Sequence, residues 1–348
     1  MENEFKNKRI LVTGGTGSIG SVIVKELLKY KPKQIRVYSR DETRQFELSH
    51  KLDAGTGVNF LIGDIRDKER LNMAMENIDI VFHAAAMKHV PACEKNPFEA
   101  VKTNVQGTQN VIDCAFKNNV SKVIGISTDK ATDPTSVMGC TKLLAEKLML
   151  ASFFYKGSKK TKFCFVRFGN VLGSRGSVIP LFIEQLKNNR PLTITDSDMT
   201  RFLMSIPQAV GLVFKAVAMM KDREIFVLKM PVVKIGDLAQ ATIETYQEVN
   251  NLDIKPNLKI IGKKNGEKMH ERLLTIEESD NALETKEVFI ILPNVKFDKN
   301  EYQNFKQQVY LGAKKAKQLN YDSLGQKTMT VNEIKKLFKN NIDLNFKI

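Results

Sequence analysis

The sequence predicts an α/β fold, in which a doubly wound parallel sheet is followed by a smaller, partly interleaved C-terminal lobe. Short apolar runs alternate with amphipathic stretches through the first half of the chain, which is the pattern of successive βαβ units. A glycine-rich segment at 14–20 joins the first of these runs to the first helical stretch. The lobe is predicted by a change after about Gly169, where Gly and Pro residues separate shorter elements.

The alternation begins with Arg9–Thr13, whose apolar run predicts a buried strand. Ser18–Tyr30 then predicts a helix, because its apolar residues recur at helical spacing. Further apolar runs predict the remaining strands of a parallel sheet that helices cover on both faces. These runs are Gln34–Tyr38, Asn59–Ile62, Ile78–His83, Lys122–Ser127 and Phe163–Phe168.

The second half of the chain contributes elements to both parts of the molecule. Pro207–Met220 predicts a helix and Glu224–Lys229 a strand, and we expect both to return to the main sheet. Thr330–Phe338 predicts a short helix after a Thr cap. We therefore expect residues 1–170, with 207–248, to form the main domain, and residues 171–206 and 249–348 to form the second lobe.

The composition excludes several classes of protein. Of the 348 residues, 42% are hydrophobic and 27% are charged, which excludes disordered, collagen-like and coiled-coil chains. No apolar run reaches the roughly 18 residues of a membrane span, and Met1–Lys6 lacks the apolar segment of a signal peptide. The formal net charge is +15. Lysines are scattered without interleaved aromatic residues, so we expect an anionic small substrate rather than a nucleic acid.

The cysteines predict neither a metal site nor a disulfide. The four of them lie at least 21 positions apart and form no Cys-x-x-Cys pair. Reduced thiols are typical of the cytoplasm, where we expect this protein to reside. The cysteines are Cys93, Cys114, Cys140 and Cys164.

The glycine-rich segment predicts a dinucleotide site. Gly14 permits a tight turn after the first strand, Gly17 lets the backbone approach a pyrophosphate, and Gly20 lets the helix pack closely on the strand. The phosphates would meet the free N–H groups at the start of the helix. The segment therefore predicts a Rossmann-type domain, with cofactor contacts from Gly14, Thr16, Gly17, Ser18, Ile19 and Gly20.

The second strand ends in residues that bear on the choice between NADP and NAD. A carboxylate such as Asp41 grips the ribose hydroxyls of NAD, whereas Ser39 with Arg40 accommodates the 2′-phosphate of NADP. Both types are present, and the planar donors of Arg40 favour NADP. Asp64 and Ile65 follow the third strand, and Asp64 is placed to meet the adenine amino group. Small residues after the fourth strand, Ala84, Ala85 and Ala86, leave room for the cofactor.

With these residues assembled, the chain resembles the extended short-chain dehydrogenase/reductase family. Further motifs resemble its branch of UDP-N-acetylglucosamine 4,6-dehydratases, and the resemblance runs from about residue 6 to residue 338. In this branch the resemblance is to forms without N-terminal membrane helices. The motifs are Ala86–Pro91, Thr103–Thr108, Ser127–Ala131, Arg167–Ser174, Met199–Phe202 and Gly266–Glu271.

The resemblance implies a reaction that oxidises C4 of a hexose, eliminates water across C5 and C6, and returns the hydride to C6. Two adjacent groups with opposite tasks are then needed near C5 and C6. The resemblance assigns the base to Lys130 and the acid to Asp129, after the fifth strand. It also implies that Thr128 bonds the sugar O4 and that Lys142 binds the nicotinamide ribose.

One position departs from the family pattern. Short-chain dehydrogenases usually carry Tyr-x-x-x-Lys, but here Met138 stands four residues before Lys142. A thioether has no proton to exchange, so another group must accept the proton of the sugar O4. Thr128 and Asp129 are the candidates by sequence. Met138 is otherwise expected to be an apolar packing residue.

The resemblance also implies where the UDP-sugar binds. Family positions that face the sugar or the nucleotide carry polar and charged side chains in this chain. For His89, a packed loop residue is an equal alternative. Arg201 has a planar fork for the pyrophosphate, and the resemblance assigns the uridine ribose to Glu271. The substrate candidates are Lys88, His89, Asn104, Asn170, Arg175, Arg201 and Glu271.

Three alternatives stay open at this point. The missing Tyr would also suit a non-catalytic NADP-binding protein, and the same fold serves UDP-sugar 4-epimerases. The configuration at C5 is not determined by the sequence, although Met138 resembles members that retain it. We expect a homo-oligomer, no metal ion, and NADP or NAD as the cofactor of a UDP-N-acetylglucosamine 4,6-dehydratase. On this reading, residues 1–170 bind NADP and the second lobe binds the UDP-sugar.

Overall fold

A computed structural model describes residues 1–52, 55, 57–253, 256–293, 310, 312–317 and 319–339. Parts of the predicted second lobe, 294–309 and 340–348 among them, lie outside the described residues. The main sheet is built from seven parallel strands in the spatial order β3-β2-β1-β4-β5-β6-β10. They are β1 (Arg9–Thr13), β2 (Gln34–Ser39), β3 (Val58–Ile62), β4 (Ile80–His83), β5 (Lys122–Thr128), β6 (Lys162–Phe168) and β10 (Glu224–Leu228).

The chain winds outward twice from the centre of this sheet. It passes from β1 to β2 and β3, then crosses back to β4 and continues to β5 and β6. Doubly wound sheets bind their ligands where the order reverses, at the carboxyl ends of the strands. The reversal here lies between β1 and β4, so the segments after Thr13 and His83 border the expected crevice.

Helices connect the strands and cover the sheet. In the first half they are α1 (Glu2–Phe5), α2 (Ser18–Leu28), α3 (Glu42–Ser49), α4 (Lys68–Ala74), α5 (Val90–Lys95), α6 (Pro97–Ala100), α7 (Gly107–Lys117) and α8 (Val137–Ala151). A π-helix at Val101–Gln106 precedes α7, and 3₁₀ turns lie at Asp129–Ala131 and Ser152–Tyr155. The later helices are α9 (Val178–Lys187), α10 (Ile206–Met219), α11 (Ile235–Asn250), α12 (Ile276–Ser279) and α13 (Val331–Lys339). None of the helices in the described ranges is long and apolar enough to cross a membrane.

Three antiparallel strands extend the main sheet beyond β10. β15 (Val288–Ile291) pairs with β10, β14 (Ala282–Glu284) pairs with β15, and β16 (Lys314–Lys315) pairs with β14. The prediction had placed all of 249–348 in the second lobe, and these strands instead complete the sheet. They cover the edge of β10, whose unpaired backbone groups would otherwise face water.

A second apolar core lies under the smaller lobe. It joins α9, α11 and α13 around Phe182, Leu238 and Ile334, all of them buried. Most of helix α11 lies in the segment 207–248, which was expected to return to the main sheet, so the two parts interleave more than the sequence indicated. The lobe's strands are β7 (Asn170–Val171), β8 (Leu192–Ile194), β9 (Thr200–Met204), β11 (Val232–Lys234), β12 (Leu258–Ile260), β13 (Arg272–Leu274) and β17 (Tyr321–Asp322).

Candidate active site

The glycine segment packs tightly between β1 and α2. Gly14 has φ +65°, and a Cβ there would lie 2.8 Å from the backbone of Ala85. A Cβ on Gly20 would overlap the carbonyl oxygen of Gly14. Glycine readily adopts the left-handed backbone of Gly14. At Gly20, only a residue without a Cβ lets the helix approach the turn so closely. The backbone is therefore free to meet a ligand at the start of α2, where Ser18 and Ile19 form the first turn.

A cavity of about 230 Å³ lies beside this segment. Most of the predicted cofactor residues line it, namely Gly14, Thr16, Gly17, Ser39, Arg40, Asp41, Asp64, Ile65, Ala84 and Ala85. Ser18, Ile19, Gly20 and Lys142 are not among its lining residues. Ala86, the third residue of the predicted alanine run, lines it as well, and the sequence analysis missed Tyr38, Arg44, Gly63 and Thr103, which also line it. Arg44 lies one helical turn after Asp41, and this spacing could have identified it as a residue that lines the cavity.

The carboxylate of Asp41 is committed to local contacts. Its Oδ1 accepts a hydrogen bond from the Arg44 backbone N–H at 3.0 Å, which caps α3, and its Oδ2 lies 3.1 Å from Arg44 Nε. Arg40 is exposed and pairs loosely with Asp64 at 3.7 Å. Burial opposes ionisation of Asp64, but hydrogen bonds and charge from Arg66 lower its pKa below the ordinary value. The edge of the cavity therefore presents two guanidinium groups beside engaged carboxylates.

The side-chain amide of Asn104 fixes the segment after β4 through hydrogen bonds. Asn104 Oδ1 accepts the Met87 N–H at 2.8 Å, while its Nδ2 donates to Met87 O at 3.1 Å and to Thr141 Oγ1 at 3.0 Å. Asn104 is buried in the π-helix, and its side chain is engaged by these protein partners. It was predicted to bind substrate. The structure places it behind the loop that carries Lys88 and His89, where it orders that loop.

The acid and base candidates follow β5 at the same edge of the sheet. Thr128 Oγ1 and Lys130 Nζ each donate to Asp129 Oδ1 at 2.9 Å. Asp129 is fully buried, and its Oδ2 has no hydrogen-bond partner among the described residues. A Cβ on Gly169 would lie 3.1 Å from that oxygen and 2.6 Å from Phe202 Cβ, so a glycine lets the backbone pass close to the carboxylate. The arrangement can therefore exchange a proton through Asp129 Oδ2.

Glu271 also lies at this pair. Its Oε1 is 3.4 Å from Lys130 Nζ, and the residue is 2% exposed. Burial lowers the pKa of Lys130, but the charges of Asp129 and Glu271 outweigh burial and raise it. The resemblance assigned Glu271 to the uridine ribose. Its carboxylate faces Lys130 instead, because the Gly266–Arg272 segment packs on the loop that follows β5.

Two contacts hold the second lobe to that loop. Lys268 Nζ donates to the Thr132 carbonyl at 2.8 Å, and Thr135 Oγ1 donates to the Gly266 carbonyl at 3.0 Å. Lys268 is one of the residues the sequence analysis missed, although it belongs to the quoted Gly266–Glu271 motif. The candidate site is therefore assembled from both halves of the chain.

Met138 and Lys142 lie on one face of α8. Met138 is buried in a small apolar cluster with Cys93 and Ala100. Lys142 Nζ donates to the Ile126 carbonyl at 2.6 Å. Burial lowers the pKa of Lys142 to about 8, although the charge of Glu146 opposes the shift.

Glu146 anchors α8 through a buried charge network. Both of its oxygens bond the guanidinium of Arg167, at 3.2 and 2.7 Å, and Arg167 also bonds Glu278 at 2.9 Å. Arg167 is fully buried, and its paired carboxylates raise its pKa against the effect of burial. The network joins α8 and β6 to α12, and so positions the helix that carries Lys142.

Arg175 contacts the glycine segment. Its guanidinium donates to the Thr16 carbonyl and its backbone N–H donates to Ser18 Oγ at 3.1 Å. Lys88 Nζ donates to the Arg175 carbonyl at 2.8 Å. Burial, with the charge of Arg175, lowers the pKa of Lys88. Arg175 was predicted on the UDP side, but these contacts place it over the cofactor turn.

The remaining substrate candidates differ in how many contacts their side chains already make within the protein. Arg201 is buried and donates to the carbonyls of Thr200, Lys268 and Met269 at 2.8 to 3.1 Å. Its guanidinium therefore braces the Gly266–Arg272 segment rather than presenting an open fork. His89 packs its ring against Gly176. Asn170 Oδ1, in contrast, has no partner within the described ranges.

Comparison with known proteins agrees with the fold and with the sequence motifs. Residues 10–293 match the family described as "Polysaccharide biosynthesis protein". The chain belongs to this family. An uncharacterized membrane protein of Methanocaldococcus jannaschii is 52% identical over 92% of this chain and 97% of its own length.

Two other kinds of curated relative carry functional names. A UDP-N-acetylglucosamine 4,6-dehydratase (inverting) of Campylobacter jejuni is 46% identical over 84% of this chain and 85% of its own. A UDP-glucose 4-epimerase of Rickettsia rickettsii is 40% identical over 96% of both chains. The expected resemblance to an extended short-chain dehydrogenase/reductase of the dehydratase branch is therefore confirmed.

The solved structures confirm the fold. Pen from Bacillus thuringiensis superposes with a TM-score of 0.89 at 45% identity, over 97% of this chain and 98% of that one. A dTDP-glucose 4,6-dehydratase from Streptomyces venezuelae has a TM-score of 0.67 at 23% identity, over 75% and 86%. The predicted Rossmann-type parallel sheet is thus confirmed.

Proposed function

We propose that this protein is a UDP-N-acetylglucosamine 4,6-dehydratase that produces a UDP-4-keto-6-deoxy-N-acetylhexosamine. One observation carries the proposal: buried Asp129 accepts a hydrogen bond from the partly exposed Lys130 at the ligand-binding edge of the sheet, and Asp129 Oδ2 has no partner among the described residues. An epimerase does not need an acid for the C6 hydroxyl. The 46% identity to dehydratases supports the same choice. Because water is eliminated overall, the enzyme would be a lyase.

The crevice fits a nicotinamide dinucleotide. Gly14 and Gly20 leave a turn that a Cβ would fill, and α2 presents its free N–H groups there. When bound, the cofactor supplies hydride acceptance from C4 and hydride return to C6. Gly14, Thr16 and Gly17 would hold its pyrophosphate. Lys142, which carries a positive charge fixed on the Ile126 carbonyl, would hold the nicotinamide ribose.

Asp129 and Lys130 divide the proton transfers. Asp129 Oδ2 accepts the O4 proton while C4 becomes a ketone, since Met138 has no proton to exchange. The ketone makes H5 acidic, and Lys130 Nζ takes it as C5=C6 forms. Asp129 then gives its proton to the departing C6 hydroxyl, which leaves as water. Lys130 finally returns a proton to C5.

We assign substrate contacts first to polar side chains of the site that have no partner among the described residues. Asn170 Oδ1 has no partner among the residues that the structure describes. We assign it to the sugar or its diphosphate. We assign Lys88 and His89, on the loop after β4, to the substrate as well. Arg175, Arg201 and Asn104 support the walls of the site through the contacts described above.

We propose inversion at C5. The sequence analysis favoured retention because of Met138, but the dehydratase relatives at 46% identity are named as inverting. Inversion requires that Lys130 return the proton to the face of C5 opposite the one it left.

We further propose NADP as the preferred cofactor. Arg40 and Arg44 both border the cavity, and Asp41 is occupied as the cap of α3. A free carboxylate for the ribose hydroxyls of NAD is therefore lacking at Asp41. The homo-oligomeric state and the cytoplasmic location stay predictions.

Proton NMR of the product tests the function. Purified protein is incubated with UDP-N-acetylglucosamine and NADP, and a C6 methyl doublet is expected, with a C5 proton coupling that reports inversion. UDP-N-acetylgalactosamine without the C6 methyl doublet would identify a 4-epimerase, a candidate that the Rickettsia rickettsii relative favours because it matches 96% of the chain. Binding of both ligands without any product would identify a non-catalytic protein.

A further inference from the structure

Lys130 has two carboxylate neighbours, and the proposed proton transfers use only one of them. Asp129 Oδ1 and Glu271 Oε1 lie 2.9 and 3.4 Å from Lys130 Nζ. Asp129 carries the proton that moves from O4 to O6. Glu271 is almost completely buried, and its Oε2 has no hydrogen-bond partner in the described part of the chain. Burying a carboxylate oxygen that has no hydrogen-bond partner costs free energy of folding, so its presence calls for a functional explanation.

The proposed reaction leaves one requirement unmet. Lys130 must be a neutral amine to take H5, but two carboxylates hold it as an ammonium before substrate binds. Once Asp129 has accepted the O4 proton it is neutral, so it no longer stabilises that ammonium. Glu271 is then the remaining negative charge in contact with Lys130.

We propose that Glu271 is a positioning residue that accepts the surplus proton of Lys130 and so converts it into the base. This inference rests on the proposed dehydratase function. An Nζ–H bond breaks and an O–H bond forms on Glu271, which leaves the electron pair on Nζ. That pair takes H5, while the C5–H electrons form C5=C6 and Asp129 protonates the departing hydroxyl. After Lys130 returns its proton to C5, Glu271 returns the stored one to Lys130.

The surrounding charges favour this exchange. Arg201 on β9 and Lys268 on the same segment as Glu271 are the other charged groups that face the cluster. Arg201 is held by backbone carbonyls, and its positive charge works against the ammonium of Lys130. Burial raises the pKa of Glu271, although Lys130 opposes the shift. A carboxylate with a raised pKa is a suitable proton store within a water-excluding site.

The first test is the pH profile of Glu271→Gln. The amide is isosteric, and no described residue depends on Oε2, so folding is expected to persist. Wild-type turnover should be nearly flat around neutral pH, because the proton is exchanged internally. In the variant only molecules whose Lys130 is already neutral can eliminate water. Turnover at pH 7 should fall roughly 10- to 100-fold and rise about tenfold per pH unit.

Two variants separate this role from a structural one. Glu271→Asp keeps a carboxyl and should retain the flat pH profile at a lower rate. Glu277→Gln removes an exposed carboxylate of the same lobe and should behave as wild type. A wild-type pH profile and rate in Glu271→Gln would overturn the proposal, as would a pH profile in Glu271→Asp equal to that of Glu271→Gln.

A second readout does not depend on turnover. An amine reagent such as trinitrobenzenesulfonate modifies neutral lysine, and peptide mass spectrometry reports the extent at Lys130 as a function of pH. Loss of the Glu271 charge should lower the midpoint by about 1 to 3 pH units. An unchanged midpoint would refute the coupling. If wild type yields no product although the midpoint shifts, the dehydratase function fails, and the role of Glu271 in elimination fails with it.

Discussion

The side chains of Asp129 and Lys130, which are neighbours in the chain, meet at 2.9 Å. Adjacent residues of a strand point to opposite faces, so this contact requires that β5 end at Thr128 and give way to the 3₁₀ turn Asp129–Ala131. Thr128 Oγ1 accepts the Lys130 N–H at 3.4 Å and marks the start of the turn. The turn thus brings an acid and a base to one position at the sheet edge.

Removal of the base is the most direct test of this pair. Lys130→Met and Lys130→Ala should reduce turnover by roughly 10²- to 10⁴-fold, the contribution of a general base. UDP binding, measured by calorimetry, should stay near wild type, and circular dichroism controls for folding. Near-normal turnover in either variant would remove Lys130 from the role.

Cofactor preference should depend on Arg40. The residue is exposed at the cavity edge, 3.7 Å from Asp64, so its loss leaves no buried group unpaired. Arg40→Ala should reduce the preference for NADP over NAD roughly 10- to 100-fold, as expected for lost hydrogen bonds to a charged phosphate. Fluorescence titration with both reduced cofactors measures the ratio. A protein that binds only NAD, with Arg40→Ala silent, would contradict the NADP proposal.

Buried His83 should make the fold acid-sensitive. It bonds Thr13 and Thr108 at 2.8 and 3.1 Å, and burial, with the charge of Lys142, lowers its pKa to about 3. The unfolded chain binds a proton near pH 6.5 and the native state does not. The free energy of unfolding should therefore fall as the pH drops below 6.5, by up to about 1.4 kcal/mol per unit from this residue.

Urea unfolding at pH 7, 6 and 5 measures that slope. His83→Gln should show a shallower dependence than wild type, whereas the exposed His50→Gln should keep the wild-type slope. Equal slopes in His83→Gln and wild type would show that other groups cause the acid sensitivity.

Met138 should tolerate a change of side chain. It lies in an apolar cluster with Cys93 and Ala100, and leucine conserves most of its volume. Met138→Leu should cost less than about 1.5 kcal/mol of stability and leave substantial turnover. A loss of turnover as large as that of Lys130→Met, in a folded protein, would indicate a chemical role for the thioether.

The sequence predicted the parallel half of the molecule well because strands such as β1, β4 and β6 are buried along nearly their whole length. Arg9–Thr13 is predicted and observed as a strand with the same ends. Helix α10 was also predicted closely, as Pro207–Met220, and it is observed as Ile206–Met219. The short strands β14 and β16 carry too few residues for periodicity to indicate them, and they pair with distant segments.

The candidate site likewise contains residues that local motifs predict and residues that only tertiary packing brings together. Residues in the glycine segment and after β5 follow from local motifs and from the edge of the sheet. The place of Glu271 beside Lys130 does not, because the two are 141 positions apart and are brought together by the packing of the second lobe. Arg201 was likewise recognised as a site residue, but its backbone partners at 268 and 269 depend on that packing.

The O4 proton is the point at which this chain departs from the family pattern, and Asp129→Asn tests it. Asp129 Oδ2 belongs to the carboxylate that Lys130 contacts, and it has no hydrogen-bond partner among the described residues. If it accepts the O4 proton, one carboxyl serves both the oxidation and the later departure of the C6 hydroxyl. Asparagine keeps the shape but cannot take up a proton. C4 oxidation and elimination should then both be lost.

Stopped-flow absorbance distinguishes the two steps. With substrate and oxidised cofactor, Asp129→Asn should give no transient absorbance of reduced cofactor, because oxidation at C4 requires that the O4 proton leave. Lys130→Met should give that absorbance without product, since its block lies after oxidation. Clear accumulation of reduced cofactor in Asp129→Asn would mean that another group, with Thr128 as the nearest candidate, accepts the O4 proton. Asp129 would then keep only the role of acid toward the C6 hydroxyl.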